Sequence, residues 1–422
     1  MGTGPVRAEI IAVGSEMLTP DRTDTNSLFV TARLNDVGVV VQAKSVVRDE
    51  LAAVSAMLRE ALGRADVVIL TGGLGPTDDD VTRDAVARAL GRPLVEHGPA
   101  LDAIRARFAS RGLTMPEINR RQAMLVEGAR PLENRQGTAP GQWIDLGRQV
   151  VVLLPGPPRE MRPLCEAVAA RLAERTGGAA VFRRSLRLVG HTESHAEERL
   201  QPLYARWTAT APPVTATILA ARGEIELQLS CRSASAAEAS TVLEAAVADV
   251  AAAFGDDLFA RDGRRLEEVV GDLLRARGLR VALAESCTGG LVTSRLTDVA
   301  GSSDYVERGV VAYSNRAKVE LLGVPEPLIA EHGAVSEAVA VAMADGVRRL
   351  AGSDIGVGLT GIAGPGGGSA AKPVGTVAVA VSGPGARRVV RTWRFPGGRT
   401  LVKLFASTAA LDALRRAALG GG

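Results

Sequence analysis

An apolar run, Leu279 to Ala284, ends in Glu285 and then delivers three small polar side chains, Ser286, Cys287 and Thr288, onto the glycine pair Gly289-Gly290. Hydroxyls and free backbone N–H groups at a strand end, where a helix then begins, make a pocket for an anion or a carbonyl. Three later segments carry matching polar groups: Tyr313-Ser314-Asn315 with Lys318, Thr360-Gly361, and Phe395-Pro396-Gly397-Gly398-Arg399. This last third of the chain has one histidine, His332, and no cluster of His, Cys, Asp and Glu. Neither a zinc hydrolase nor a Ser-His-Asp arrangement is supplied locally. A hydroxyl nucleophile here needs another base, and Lys318 is the candidate. Ser314 or Asn315 can cap a helix whose first turn carries Lys318 back toward the strand end, where burial would lower its pKa. Ser286 and Lys318 then form a nucleophile and base, with Tyr313 able to relay or donate a proton. Cys287 competes as nucleophile, although no nearby histidine supports its thiolate. The plain alternative makes Ser286 and Thr288 helix caps, Lys318 a solvated charge and Tyr313 core.

A second constellation lies near the start, in Thr71-Gly72-Gly73-Leu74-Gly75-Pro76-Thr77-Asp78-Asp79-Asp80-Val81-Thr82. Here glycines and a triple acid join a buried strand to a helix. The N–H groups of Gly72, Gly73 and Gly75 suit a phosphate, whereas Asp78, Asp79 and Asp80 would repel one unless a divalent cation such as Mg2+ lay between. Phosphate plus metal is the economical expectation, and the helix dipole accounts for at least one of the aspartates. Ser15-Glu16, Asp24-Thr25-Asn26, Arg48-Asp49 and Leu154-Pro155-Gly156-Pro157-Pro158 follow the other strands and cluster polar groups at one edge.

The elements that must hold these groups are legible from periodicity. From Ala8 to about Thr176, short Val/Ile/Leu runs alternate with helical patterns, the signature of a parallel sheet covered by helices. Strands are expected at Glu9 to Gly14, Val39 to Val47, Val67 to Thr71 and Val150 to Leu154. Helices are expected near Asn26 to Asp36, Leu51 to Leu62, Val81 to Leu90 and Arg159 to Arg175. Gly177-Gly178 breaks the pattern. A β-α-β-β-α order follows, with strands at Phe182 to Val189, Val214 to Ala220 and Glu224 to Cys231, and helices at Glu193 to Tyr204 and Ala236 to Phe254. This reads as a small α+β module of KH type acting as a spacer. The third segment opens with an amphipathic helix, Arg265 to Arg277, and closes with a helix over Thr400 to Ala418. Between them the glycine-rich Gly361 to Ser369 leads into a strand, Thr376 to Val381, so it is a wide hairpin loop rather than a dinucleotide fingerprint. Arg399, after a Pro-Gly-Gly turn at the start of the last helix, could hold a phosphate together with helix N–H groups. The organisation is therefore α/β throughout its large domains, with a parallel or mixed sheet in the first, divided at 1–176, 177–257 and 258–422.

Composition sets outer limits. At 422 residues the chain exceeds what a single hydrophobic core serves. Aromatics are 3% and formal charge is only +3 with both signs intermixed, so stacking platforms and a basic field are both lacking. That speaks against nucleic acid as a partner. The three cysteines, Cys165, Cys231 and Cys287, lie far apart and form no disulfide framework, which fits a reducing cytoplasm. The strongest apolar run, Val150 to Leu154, is too short to cross a bilayer, and Met1 to Ile10 has no signal-peptide pattern.

Taken together, Ala284 to Gly290, Tyr313-Ser314-Asn315 through Lys318, Gly333-Ala334-Val335-Ser336, and Gly361-Ile362-Ala363-Gly364-Pro365 with Lys372 to Thr376 resemble the C-terminal domain of CinA proteins. That domain is similar to the bacterial nicotinamide mononucleotide deamidase, which yields nicotinic acid mononucleotide and ammonia. The resemblance implies Ser286 as nucleophile, Lys318 as base, Tyr313 and Thr360 as polar site groups, Arg399 as phosphate ligand, and no cofactor. It further implies substrate contacts from Thr288, Gly289, Gly290, Asn315 and Gly361. The first segment resembles the molybdopterin-binding fold, and most closely the N-terminal domain of CinA, which is associated with ADP-ribose pyrophosphatase activity. There the resemblance implies Asp80 as catalytic, Gly72, Gly73, Gly75, Thr82 and Asp49 as substrate-binding, and Asp78, Asp79 and Asp80 as metal ligands. The triple Asp departs from the loop of the pterin enzymes. Nicotinamide mononucleotide and ADP-ribose are thus the expected substrates, and a homodimer the expected assembly. The rival expectations are a pterin nucleotidyltransferase in the first segment, or a non-enzymatic competence or DNA-repair accessory.

Overall fold

Val67–Thr71, apolar up to its final threonine, and Val150–Leu154, apolar throughout, are buried at every residue. Strands buried on both faces belong at the centre of a parallel sheet between two helical layers, and that is where the chain puts them. The structure is a computed structural model that describes residues 5–221, 223–383 and 388–420. These form two compact units, Met1–Phe182 with Cys231–Ser240, and Arg183–Ser230 with Thr241–Gly422.

The first sheet has six strands in the order Val40–Val47, Arg7–Val13, Val67–Thr71, Val150–Leu154, Gly141–Asp145, Ala129–Leu132. The first four run parallel and the last two turn antiparallel. One face packs helix Leu51–Leu62, through Val54 and Leu58, against Ile11, Val68 and Leu70. The other packs Val30 and Leu34 of helix Thr25–Asp36 and Met161 and Val168 of helix Pro158–Ala173 against Ile10, Ile69 and Val152. The four parallel strands were expected. The antiparallel pair, which a mixed sheet allows, was not placed, because Arg130 and Pro131 interrupt the apolar pattern of Ala129–Leu132, an edge strand where proline is tolerated. A two-stranded ribbon, Leu94–Glu96 with Met124–Val126, and helix Gly98–Ala109 also lie in the stretch that periodicity left blank.

The middle segment folds as the expected β-α-β-β-α series, from strand Ala180–Val189 to helix Ala236–Phe254. A short strand, Leu258–Ala260, joins its sheet beside Ala180–Val189. The middle segment is also tied to the third segment by buried charges. Glu224, at the start of strand Glu224–Ser233, is buried and accepts a 3.0 Å bond from Arg295 Nη2, which also donates to Glu267 at 2.7 Å. Arg295 lies on helix Leu291–Thr297, directly after the glycine pair of the serine loop. The middle segment therefore reaches the framework of that loop through a buried charge network.

The third sheet has the order Val306–Val311, Val281–Glu285, Ile355–Gly361, Thr376–Ser382, Arg388–Arg394. The first three strands are parallel and the last two antiparallel. Val281–Glu285 comes first in sequence yet sits between its two parallel successors. The chain leaves it to one side and returns to the other, which opens a crevice at its carboxyl end. The same reversal occurs around Arg7–Val13 in the first sheet. Gly356 and Gly358 let helix Glu337–Ala351 lie directly on the third sheet, since a Cβ at either would stand 2.1 or 2.2 Å from a helix carbonyl.

Candidate active site

Strand Val281–Glu285 ends in the third crevice, and the loop that follows is held from both sides. Ser286 N donates to Leu359 O of the neighbouring strand at 3.1 Å, and Gly289 N closes a turn back to Ser286 O. Gly289 and Gly290 have φ of 63° and 93°, the left-handed region in which a side chain is strained. Lys318 arrives from the next strand. Ser314 caps helix Asn315–Leu322 by accepting from Ala317 N, so Ser314 rather than Asn315 is the cap, and the first turn aims Lys318 inward as the sequence suggested.

Lys318 Nζ reaches Ser286 Oγ at 3.0 Å, Ala312 O at 3.2 Å and Tyr313 O at 3.3 Å, and the residue is 2% exposed. It forms no salt bridge with a carboxylate among the described residues. Burial disfavours the ammonium and lowers the Lys318 pKa from the ordinary lysine value. A neutral amine beside a hydroxyl is a base next to a nucleophile. Cys287 Sγ, though within electrostatic range of Lys318, makes no hydrogen bond to it. Its sulfur lies 2.9 Å from where a Cβ on Gly361 would stand, it belongs to the apolar core, and burial pushes its thiol up to about 11. Of the two nucleophiles the sequence left open, Ser286 is the one within hydrogen-bond distance of Lys318 Nζ.

Glu285 was missed by sequence reasoning. Buried at 1% exposure, it accepts from Thr288 Oγ1, Gly290 N and Val292 N on one carboxylate oxygen and from Thr293 N and Thr293 Oγ1 on the other. The signal available was an acid closing an apolar strand, followed by a run of Thr and Gly. These five donors fix the loop that carries Ser286, and they absorb the hydroxyl of Thr288, expected among the substrate contacts. Thr360 is likewise committed, its Oγ1 donating to Ala334 O at 2.8 Å. The structure brings Tyr313 and Arg399 together: Arg399 Nη2 donates to the Tyr313 hydroxyl at 2.9 Å and Nη1 to Gly364 O at 3.1 Å. Asn315 is exposed at the first position of its helix. Gly361 sits where Cys287, Val377 and Thr376 leave no room for a Cβ.

In the first unit, a cavity of about 430 Å³ opens at the carboxyl ends of the parallel strands, bounded by Gly72, Gly73, Gly75, Asp49, Asp79 and Asp80 among others. Asp80 is the lock of the glycine loop. Its carboxylate accepts from Gly75 N at 2.7 Å, Thr77 N at 2.9 Å and Thr77 Oγ1 at 2.6 Å. Thr82 is buried, and its hydroxyl donates to Gly72 O. Arg83, absent from the sequence reading, is buried and donates to Leu74 O and Gly75 O, so the carbonyl side of the loop is tied as well. The expected trio of metal ligands does not converge. Asp78 is almost fully exposed and pairs with Arg121 at 2.7 Å, and among the described residues no group of three metal-ligating side chains is assembled. Glu16, Asp24 and Glu160 also line this cavity, which no lysine or arginine does. Buried Asn26 Oδ1, on the same wall, has no hydrogen-bond partner among the described residues. Such oxygens fit a divalent cation that keeps part of its water shell better than a fully protein-built cage.

No helix of the described residues is long and apolar enough to cross a membrane. The family model of the CinA C-terminal domain matches residues 263–418, that of the damage-inducible protein CinA KH domain residues 183–260, and that of a probable molybdopterin binding domain residues 9–174. A CinA-like protein of Koribacter versatilis is 44% identical over 415 residues, spanning 97% of this chain and 99% of its own length. A putative competence-damage inducible protein of Symbiobacterium thermophilum is 45% identical over 425 residues, at 98% and 99% coverage. The crystal structure of competence/damage inducible protein CihA from Agrobacterium tumefaciens is similar at 42% identity, covering 36% of this chain and 92% of that one, with a TM-score of 0.35.

Proposed function

Because the chain belongs to the CinA family, we propose that its third segment is an amidohydrolase of nicotinamide mononucleotide and its first a metal-dependent hydrolase of ADP-ribose. The observation that carries the first half is the 3.0 Å contact between buried Lys318 Nζ and Ser286 Oγ. In this reading neutral Lys318 takes the Ser286 proton as Oγ attacks the carboxamide carbon. The C–N bond then breaks, the proton leaves with ammonia, and the nicotinoyl ester on Ser286 is hydrolysed by water that gives its own proton back through Lys318. Arg399 and the Tyr313 hydroxyl would hold the 5'-phosphate end, and Gly289 and Gly290 would let the substrate approach the loop backbone.

For the first segment, Asp49, Asp79 and the unpartnered Asn26 Oδ1 are the oxygens that would hold a divalent cation. When bound, that ion would offset the charge of a diphosphate and polarise the bond under attack. Asp80 keeps the N–H groups of the glycine loop in place. Incubation of the protein with nicotinamide mononucleotide and, separately, with ADP-ribose, with ammonia and adenosine monophosphate as readouts, tests both halves. Absence of ammonia release would remove the amidohydrolase reading.

A further inference from the structure

The last helix, Arg399–Leu419, presents three residues four positions apart, Arg399, Lys403 and Ser407, which fall on one face. Two of them are tied down. Arg399 bonds Tyr313 and Gly364, and Ser407 Oγ accepts from Arg295 Nη1 at 3.0 Å. Lys403, between them, is half-buried, and its Nζ lies 3.8 Å from where a Cβ on Gly289 would stand. Yet its ammonium forms no hydrogen bond or salt bridge with any described residue. Arg399 also lacks an acidic partner, since both of its acceptors are neutral. Two like charges one turn apart, with no carboxylate against either, oppose each other until an anion comes between them. The cleft beside Ser286 is thus bounded by a guanidinium on the Tyr313 side and an ammonium on the Gly289 side.

We propose that Lys403 is a second phosphate-binding cation that, with Arg399, makes this cleft selective for a mononucleotide over its unphosphorylated riboside. The proposal rests on the amidohydrolase reading and names what sets its specificity. A phosphate dianion offers three oxygens, enough to engage a forked guanidinium and a point-like ammonium together, whereas a riboside hydroxyl meets neither charge.

The test compares Lys403→Ala and Lys403→Arg with wild type on nicotinamide mononucleotide and nicotinamide riboside, and titrates ribose 5-phosphate by calorimetry. Lys403→Ala should cut the preference for the mononucleotide, as a ratio of kcat/KM values, by about tenfold or more, chiefly through KM, and weaken ribose 5-phosphate by a similar factor. Lys403→Arg should recover most of both. An unchanged preference and unchanged ribose 5-phosphate affinity in Lys403→Ala would overturn the proposal, as would a loss shared equally by the two substrates. Should wild type release no ammonia from the mononucleotide, the amidohydrolase reading fails on its own. The calorimetric arm then still decides: ribose 5-phosphate binding that depends on Lys403 upholds the cation site, and equal or absent binding in both proteins removes it.

Discussion

Lys318 Nζ stands 3.0 Å from Ser286 Oγ across 32 residues of sequence, with two carbonyls as its other partners. An ammonium in that setting is desolvated without a countercharge, and a depressed pKa relieves it.

Ser286→Ala and Lys318→Met should each reduce ammonia release by about 10³-fold or more, as expected when half of a nucleophile and base pair is removed. Lys318→Arg should not rescue, because a guanidinium stays protonated. Turnover within tenfold of wild type in any of the three would exclude the pair. Because the proton must be off Lys318 for attack, kcat/KM should rise with pH along a limb that lies below the ordinary lysine range. The same sign applies to stability. A lysine whose folded pKa is depressed binds fewer protons folded than unfolded, so stability rises with pH between the folded and unfolded pKa values. Urea midpoints taken across that window should climb in wild type and flatten in Lys318→Met.

Cys287→Ala should keep deamidation within a few-fold, since the thiol is packed in the apolar core and pushed up to about 11 by burial. It should cost about 1 kcal/mol in unfolding free energy from the lost packing. Activity that disappears with the sulfur while the fold survives would transfer the nucleophile to Cys287.

Glu285→Gln keeps the shape but removes the charge that five donors surround. The amide must also turn two hydrogens toward donors, so a loss of about 2 kcal/mol or more is expected, with kcat falling more than KM changes as the serine loop loosens. A variant with wild-type melting temperature and kcat would mean that the loop is held by the strands alone.

Arg295→Met removes the buried partner shared by Glu224 and Glu267 and leaves them only their outer pairs with Arg187 at 3.4 Å and Arg265 at 3.3 Å. Removing one partner from a buried charge cluster costs about 3–5 kcal/mol, so the melting temperature should drop well beyond the effect of a surface arginine change. Glu224→Gln combined with Glu267→Gln in that background should recover part of it.

In the first unit, EDTA should silence ADP-ribose cleavage and spare deamidation. Asp80→Asn should likewise lose the first activity alone, since it exchanges an acceptor of three bonds for a group that presents N–H to N–H. Full ADP-ribose cleavage in the presence of EDTA would remove the metal from the proposal.

Much of this was legible in the residues because strong local patterns and tertiary structure agree. Val67–Leu70 and Val150–Leu154 are apolar throughout, and helices Leu51–Leu62 and Ala236–Phe254 have the expected bounds. A cap at Ser314 or Asn315 for the helix of Lys318 could be read from spacing, and the fold selects Ser314. What escaped has a common cause. Glu285, Arg83 and Arg295 are charged residues that a sequence reading places in solvent, and each is buried because partners distant in sequence or in the backbone satisfy it. Lys403 looked like any helical lysine until the fold set it beside Gly289. The divergence of Asp78 from Asp79 and Asp80 was equally invisible, because adjacent residues in a turn need not share a direction.

The contribution of the last helix has a bearing on synthesis. Ser286 and Lys318 leave the ribosome well before Arg399, and Ser407, which holds Arg295, follows later still. A nascent or prematurely terminated chain that stops short of residue 399 carries the nucleophile and its base without the guanidinium, the ammonium or the brace behind the serine loop. An unfinished chain also lacks Val402, Ala406, Leu411 and Leu414, the share of the apolar core that the last helix packs with Val281 and Leu283 of the strand leading to Ser286.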